Sequence, residues 1–268
     1  MDPVVAVTIA GRPLRLLVDP TQADAIELDP AAADRLGLRW QKGRDLEIGR
    51  ITLAGRTAQT VLETEGRSLP VTVATHDRPV SERADGLIGP DLLPYAAIRW
   101  HRADAPPPTA TLTLPLRLDL GLGLVGSDTA LPLPIRLRFS FVRFDSEATA
   151  AAASFLLQRY DGRFDGNTEP MPVFLGISRP SRPILFDRAP LIAGFHIRRI
   201  AVRIADFRGS NPLPADPLQP GDIVVARREA PQPAQSWVTI ANDRLRRCAD
   251  VTYTAQPRTL KLSCAFDP

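Results

Sequence analysis

Val4-Val5-Ala6-Val7-Thr8-Ile9-Ala10-Gly11-Arg12-Pro13-Leu14-Arg15-Leu16-Leu17-Val18-Asp19 is the stretch from which the fold is read. Val4 to Ile9 is apolar and rich in β-branched residues, which suit a pleated, half-buried surface. Gly11-Arg12-Pro13 is turn chemistry and Leu14 to Val18 is a second apolar run, so the pattern predicts a β-hairpin ending in an aspartate. A short helix is expected next. Asp29 suits its N-cap, Pro30 its first position, Ala31 to Leu36 its body and Gly37 the left-handed position after it. Further strands are predicted at Leu46–Leu53, Ala58–Glu63 and Pro70–Ala74, and around Ala97–Trp100 after the segment Ala84 to Leu93.

Between Thr109 and Leu124 leucine recurs at every second position from Leu112, which signals a strand with one buried face. Pro115 breaks the run or confines it to an edge, and the junction between two lobes is expected here. Beyond it the order repeats. Leu131 to Phe144 reads as two apolar strands ending at Asp145, and Ala148 to Tyr160 reads as a helix stopped by Asp161-Gly162. Ile197–Val202 matches Ile48–Leu53 in pattern, and Thr239–Leu245 sits where Leu87–Leu93 sat. Val251–Tyr253 answers Ile98–Trp100, and Arg258–Leu262 answers Ala110–Leu114. A duplicated lobe explains these matches in their order.

The bulk properties fit this reading. A chain of 268 residues accommodates two lobes, and 44% hydrophobic with 24% charged residues is ordinary for a globular protein. The 27 prolines favour short strands and many turns over long helices. The net charge of +3 is spread out, with lysine only at Lys42 and Lys261 and arginines scattered or in pairs such as Arg227-Arg228. Without a basic stripe or stacking aromatics, no nucleic-acid face is expected. Cys248 and Cys264 have no zinc-type spacing, their pairing stays open, and His76, His101 and His196 are dispersed, so neither a metal site nor a cofactor is expected. Met1-Asp2-Pro3 opens no leader pattern and no run of 18 apolar residues occurs, so a chain off the membrane, cytoplasmic by default, is expected. Gly121-Leu122-Gly123-Leu124-Val125-Gly126 lacks the strand–turn–helix context of a dinucleotide loop. No serine-nucleophile elbow, phosphate loop or His-Glu-x-x-His helix is present.

"VAVTIAGRPLRLLVDPTQADAIELDPAAADRLGL", "ADGLIGPDLL" and "TIANDRLRRCADVTYTAQPRTLKLS" resemble the opening, second signature and closing segment of bacterial retropepsin-like lobes. The matches touch both halves; residues 160–195 and 205–235 match poorly. The resemblance implies an all-β fold with a short helix per lobe, two tandem retropepsin-like β-barrel lobes forming a bilobal acid-protease fold. The lobes would span residues 1–115 and 130–268, with residues 116–129 as the interlobe strand. It further implies an aspartic-type endopeptidase. Asp19 and Asp145 would share a proton across a cleft and activate a water against an extended peptide. In place of the family's Asp-Thr-Gly this sequence has Asp19-Pro20-Thr21 and Asp145-Ser146-Glu147. Pro20, Thr21, Ser146 and Glu147, with Gly89 and its counterpart Ala241, would brace the two loops. Arg50 or Arg67 is a candidate for the flap rim. The altered loops also suit a second reading, a catalytically inactive pseudopeptidase holding a peptide or protein partner in the cleft. Both lobes lie in one chain, so a monomer is expected to form the cleft.

Overall fold

The computed structural model describes residues 3–48, 51–119, 121–129, 131, 135–204 and 236–266. The expected hairpin is β1 (Val4–Ile9) against β2 (Arg12–Val18), in register from Val4 opposite Leu17 to Ile9 opposite Arg12. Ala10 and Gly11 both take positive φ, the geometry of a two-residue hairpin turn matched to strand twist. Val7, Ile9, Leu14 and Leu16 turn inward and are buried. Then come β3 (Ile26–Leu28), α1 (Pro30–Arg35), β4 (Gln41–Lys42), β5 (Leu46–Ile48), β6 (Ile51–Leu53), β7 (Arg56–Thr64), β8 (Arg67–Thr75) and β9 (Gly86–Ile88). The strand order β1-β2-β9-β3-β8-β7 returns to β1 through Ile9 opposite Leu62, closing a six-stranded barrel. Closure leaves no sheet edge within this ring. Its interior holds Ile9, Leu16, Ile26, Leu62, Val73 and Ile88. Truncating such a fully buried side chain to alanine costs about 2–5 kcal/mol.

β10 (Ala97–His101) and β11 (Ala110–Asp119) leave the barrel, and β12 (Gly123–Gly126) opens the second half. It continues with β13 (Arg136–Phe139), β14 (Glu147–Thr149), α2 (Ala150–Arg159), β15 (Gly162–Phe164), β16 (Glu169–Phe174), β17 (Ile177–Phe186), β18 (Leu191–Ile192), β19 (Phe195–His196) and β20 (Arg199–Arg203). β21 (Trp237–Ile240), α3 (Asn242–Leu245), β22 (Cys248–Ala255) and β23 (Arg258–Cys264) complete it. The path β12-β13-β21-β14-β20-β17 repeats β1-β2-β9-β3-β8-β7, with the same parallel or antiparallel sense at each step. Among the described residues no pairing joins β17 back to β12, so this second sheet stays open. The chain is therefore all-β and bilobal.

The two lobes share a sheet in the order β10-β22-β23-β11. β11 serves both, pairing with β23 from Ala110 to Pro115 and with β12 from Leu116 to Asp119. A disulfide joins Cys248 to Cys264 across the β22–β23 hairpin.

Several local expectations shift. Leu46–Leu53 is not one strand but the separate β5–β6 hairpin, and β20 occupies the place of β8, so Ile197–Val202 is no counterpart of Ile48–Leu53. Both segments alternate apolar residues, and alternation alone cannot tell a barrel strand from a hairpin arm. Leu131 to Phe144 yields one described strand, β13, and residues 132–134 lie outside the described residues, as do Arg50 and Arg227-Arg228. Asp29 begins α1 without capping it through its side chain; its Oδ1 instead accepts the Val80 N–H at 2.6 Å.

Candidate functional site

The strand register fixes which residues correspond between lobes. Val18 lies opposite Ile88 and Phe139 opposite Ile240, and the next residue in each case, Asp19 or Ser140, donates its N–H to that isoleucine's carbonyl. Ser140 is thus the counterpart of Asp19. The same register pairs Leu17 with Arg138, Glu27 with Glu147 and His76 with Arg203.

Asp19 is fully buried where the lobes meet. Its Oδ1 accepts the Thr21 N–H at 2.9 Å and the Thr21 hydroxyl. Its Oδ2 accepts the Ser140 hydroxyl at 2.9 Å and the backbone N–H groups of Phe141 at 2.7 Å and Val142 at 3.1 Å. Five donors on one buried carboxylate compensate its desolvation through charge-assisted hydrogen bonds. Ser140 Oγ also accepts the Arg143 N–H at 3.2 Å. Phe141 stacks on Trp100 of the shared sheet with ring centroids 4.5 Å apart. Gly123 closes the box from β12. It has φ +82°, and a Cβ there would stand 2.4 Å from the Pro20 carbonyl oxygen, which itself accepts the Leu124 N–H.

Asp145 is not brought to this point. It is solvent-exposed beyond the Ser140–Arg143 loop, and no hydrogen bond joins it to Asp19 among the described residues. Pro20 is buried and offers only its carbonyl, while Thr21 braces Asp19 within its own loop. Ser146 binds Asp243 through its N–H at 3.0 Å and its hydroxyl at 2.6 Å, and Ser146 Oγ accepts the Ala241 N–H at 3.0 Å. Burial is the main cause raising the Asp243 carboxyl above its ordinary value. Glu147 forms a buried ion pair with Arg143. At Gly89 a Cβ would lie 2.3 Å from the Gln22 carbonyl oxygen, so the Asp19 loop packs directly on that backbone. Arg67 is drawn instead to the Pro94 carbonyl.

A cavity of about 720 Å³ opens beside this box, between the lobes and under the β5–β6 hairpin. The hairpin's Ile48 and Leu53 pack on Val173, Leu175 and Ile177 of the β16–β17 hairpin, so elements of both lobes roof the space. Arg44 to Ile48 line it from above. His76 ties that roof to the barrel wall. Its Nδ1 lies 3.0 Å from Glu27 Oε1 and its Nε2 3.2 Å from the Arg44 carbonyl. A carbonyl can only accept, so Nε2 carries a proton; Nδ1, facing a carboxylate, is favoured to carry the second. The Glu27 hydrogen bond is the main cause raising the imidazole above its ordinary value.

The lobe-two wall of the cavity contains Arg138, Arg143, Arg203 and Trp237. The Arg138 guanidinium lies over the Trp237 ring at 5.4 Å from its centroid. Burial, more than any neighbour, lowers its pKa to about 10; Arg143 and Arg203 push the same way, and the carboxylates of Glu147 and Asp19 push against it. Reading the sequence missed Arg138, His76 and Arg203 as site residues. The available signal was an arginine between Leu137 and Phe139, where the first lobe carries Leu17. Among the described residues no group of three or more His, Cys, Asp or Glu side chains is arranged to hold a metal ion, and no helix is long and apolar enough to cross a membrane.

No protein-family model matches the chain, and no curated protein does. Solved structures do match. One is the EIAV protease complexed with the inhibitor HBY-793, at 24% identity and a TM-score of 0.29, covering 34% of this chain and 84% of that one. So slight a likeness says nothing about activity; the fold described above rests on strand order and register alone.

Proposed function

We propose that this chain is a diverged, catalytically inactive relative of the aspartic peptidases, which holds an extended peptide or protein segment in the interlobe cavity. The observation that carries the reading is the saturation of Asp19 by five donors, with Ser140 where a second aspartate would have to stand. A shared-proton pair needs two carboxylates in contact. With two donors on one oxygen and three on the other, the Asp19 carboxylate has no acceptor position left for a water. Support for the peptidase kinship comes from the doubled strand order and from the β5–β6 hairpin over the cavity, which offers backbone edges for β-addition of a peptide. The test is incubation of the full chain with a diverse peptide library from pH 3 to 8, read by mass spectrometry. We expect no cleavage at any pH. Cuts that disappear in Asp19→Asn or Asp145→Asn would restore the peptidase reading and overturn this one.

A further inference from the structure

Resting on that reading, we propose that the cavity selects a peptide carrying a carboxylate, received on the lobe-two wall by Arg138 with Arg143 and Arg203 beside it. Arg138 is 7% exposed and lines the cavity. Its guanidinium makes no hydrogen bond or ion pair among the described residues, and its Nε is buried without an acceptor. The nearby anions are already engaged: Glu147 holds Arg143, and Asp19 is saturated by its five donors. A desolvated charge without an acceptor is costly, and a planar carboxylate is the partner a guanidinium fork fits best. The fold does not demand the charge, since the corresponding position of the first lobe is the buried Leu17. The indole N–H of Trp237, in the same wall, is likewise buried without an acceptor.

The rest of the lining limits the ligand. Asp24, Glu27, Asp45 and Glu47 lie on the first-lobe and hairpin side together with Arg44 and His76, so that side carries both signs with carboxylates in excess, while the other wall is basic. That polarity favours a singly charged carboxylate over a dianion such as phosphate, which the excess carboxylates would repel. Leu46, Ile48, Val173 and Phe174 add apolar surface for neighbouring side chains, and the volume falls in the range of sites that enclose small ligands. The carboxylate has two possible sources in a peptide, an acidic side chain or the C-terminus.

The test measures binding of the full chain by fluorescence anisotropy to three labelled pools of randomised short peptides. One has a central Glu and blocked ends, one a central Gln and blocked ends, and one a central Gln with a free C-terminal carboxylate. We expect the first or third pool to bind at least about ten-fold more tightly than the second, the scale of one charge-assisted hydrogen bond. The better of the two names the source. Arg138→Met should remove that advantage while leaving the melting temperature at or above wild type, and Arg138→Lys should keep part of it. Equal binding of all three pools would overturn the carboxylate assignment and leave the peptide-binding reading standing. No binding of any pool would overturn both. A lowered melting temperature in Arg138→Met would make Arg138 a structural residue and overturn the assignment as well.

Discussion

Replacing Asp19 with asparagine removes one charge and turns one of two acceptor oxygens into a donor. The Oδ2 position faces three donors and the Oδ1 position two, so the amide nitrogen does least harm towards Thr21. There the Thr21 hydroxyl can rotate to accept, but the Thr21 N–H is left facing another donor. An orphaned buried N–H costs about 1–3 kcal/mol, and three charge-assisted bonds to Oδ2 fall to neutral strength. Together these amount to a loss of about 3 kcal/mol, against a total stability of roughly 5–15 kcal/mol. For a protein of this size that corresponds to a fall in Tm of roughly 6–12 °C. Asp19→Ala, which leaves three backbone N–H groups without an acceptor, should lose more. Urea and thermal unfolding of the three proteins, followed by circular dichroism at pH 7, measure the series. Asp19→Asn that matches or exceeds wild type in stability would refute the argument, because it would mean that the carboxylate is strained rather than satisfied in its box.

Ser140→Asp would set a second carboxylate against Asp19 where a 2.9 Å hydrogen bond now stands. The pair's folded pKa would rise above the unfolded value of about 4, so its stability should be present below about pH 4 and lost as pH rises through the raised value. Tm measured from pH 3 to 8 checks this; a profile parallel to wild type contradicts it. His76 has a raised folded pKa, so the stabilisation from its pair with Glu27 is fully present below about pH 6.5 and lost as pH climbs through the folded value. His76→Gln should flatten the Tm profile on that alkaline side, and an unchanged slope would count against the pair. Removing the Cys248–Cys264 disulfide by a double serine substitution should cost about 3 kcal/mol, the value for a loop of this size. Equal urea midpoints for the two proteins would show the bond to be idle.

The first hairpin was legible because Val7, Ile9, Leu14 and Leu16 face one core, and period-two burial writes itself into composition. The match of Thr239–Leu245 to Leu87–Leu93 is reproduced by the register at its start, since Leu87-Ile88 and Thr239-Ile240 end strands paired in the same way with their neighbours on both sides. The counterpart of Asp19 is not legible in the sequence, for a definite reason. Phe141-Val142 continues the apolar run of β13, so the apolar pattern extends almost to Asp145. The backbone has already turned at Ser140, whose side chain bonds forward to the Arg143 N–H. The cavity charges were hidden for another reason. Arg138 sits in a strand and Glu27 beside Ile26 and Leu28, and in isolation each reads as the solvent face of an alternating pattern. Only pairing across the sheet shows that both point into an enclosed space.

The shared sheet also governs the order in which the molecule can assemble. The first barrel draws on residues from Val4 to Ile88 and can close as soon as they are available. β10 and β11, next along the chain, have partners more than a hundred residues ahead, in β22 and β23. Until those arrive, the inner edges of both strands stand open, and an open edge recruits whatever strand is near, including the same segment of another copy. Contacts so distant in sequence are slow to form and favour intermediates. Deleting β22–β23 should therefore yield a chain whose first barrel still folds but which aggregates through β10 and β11.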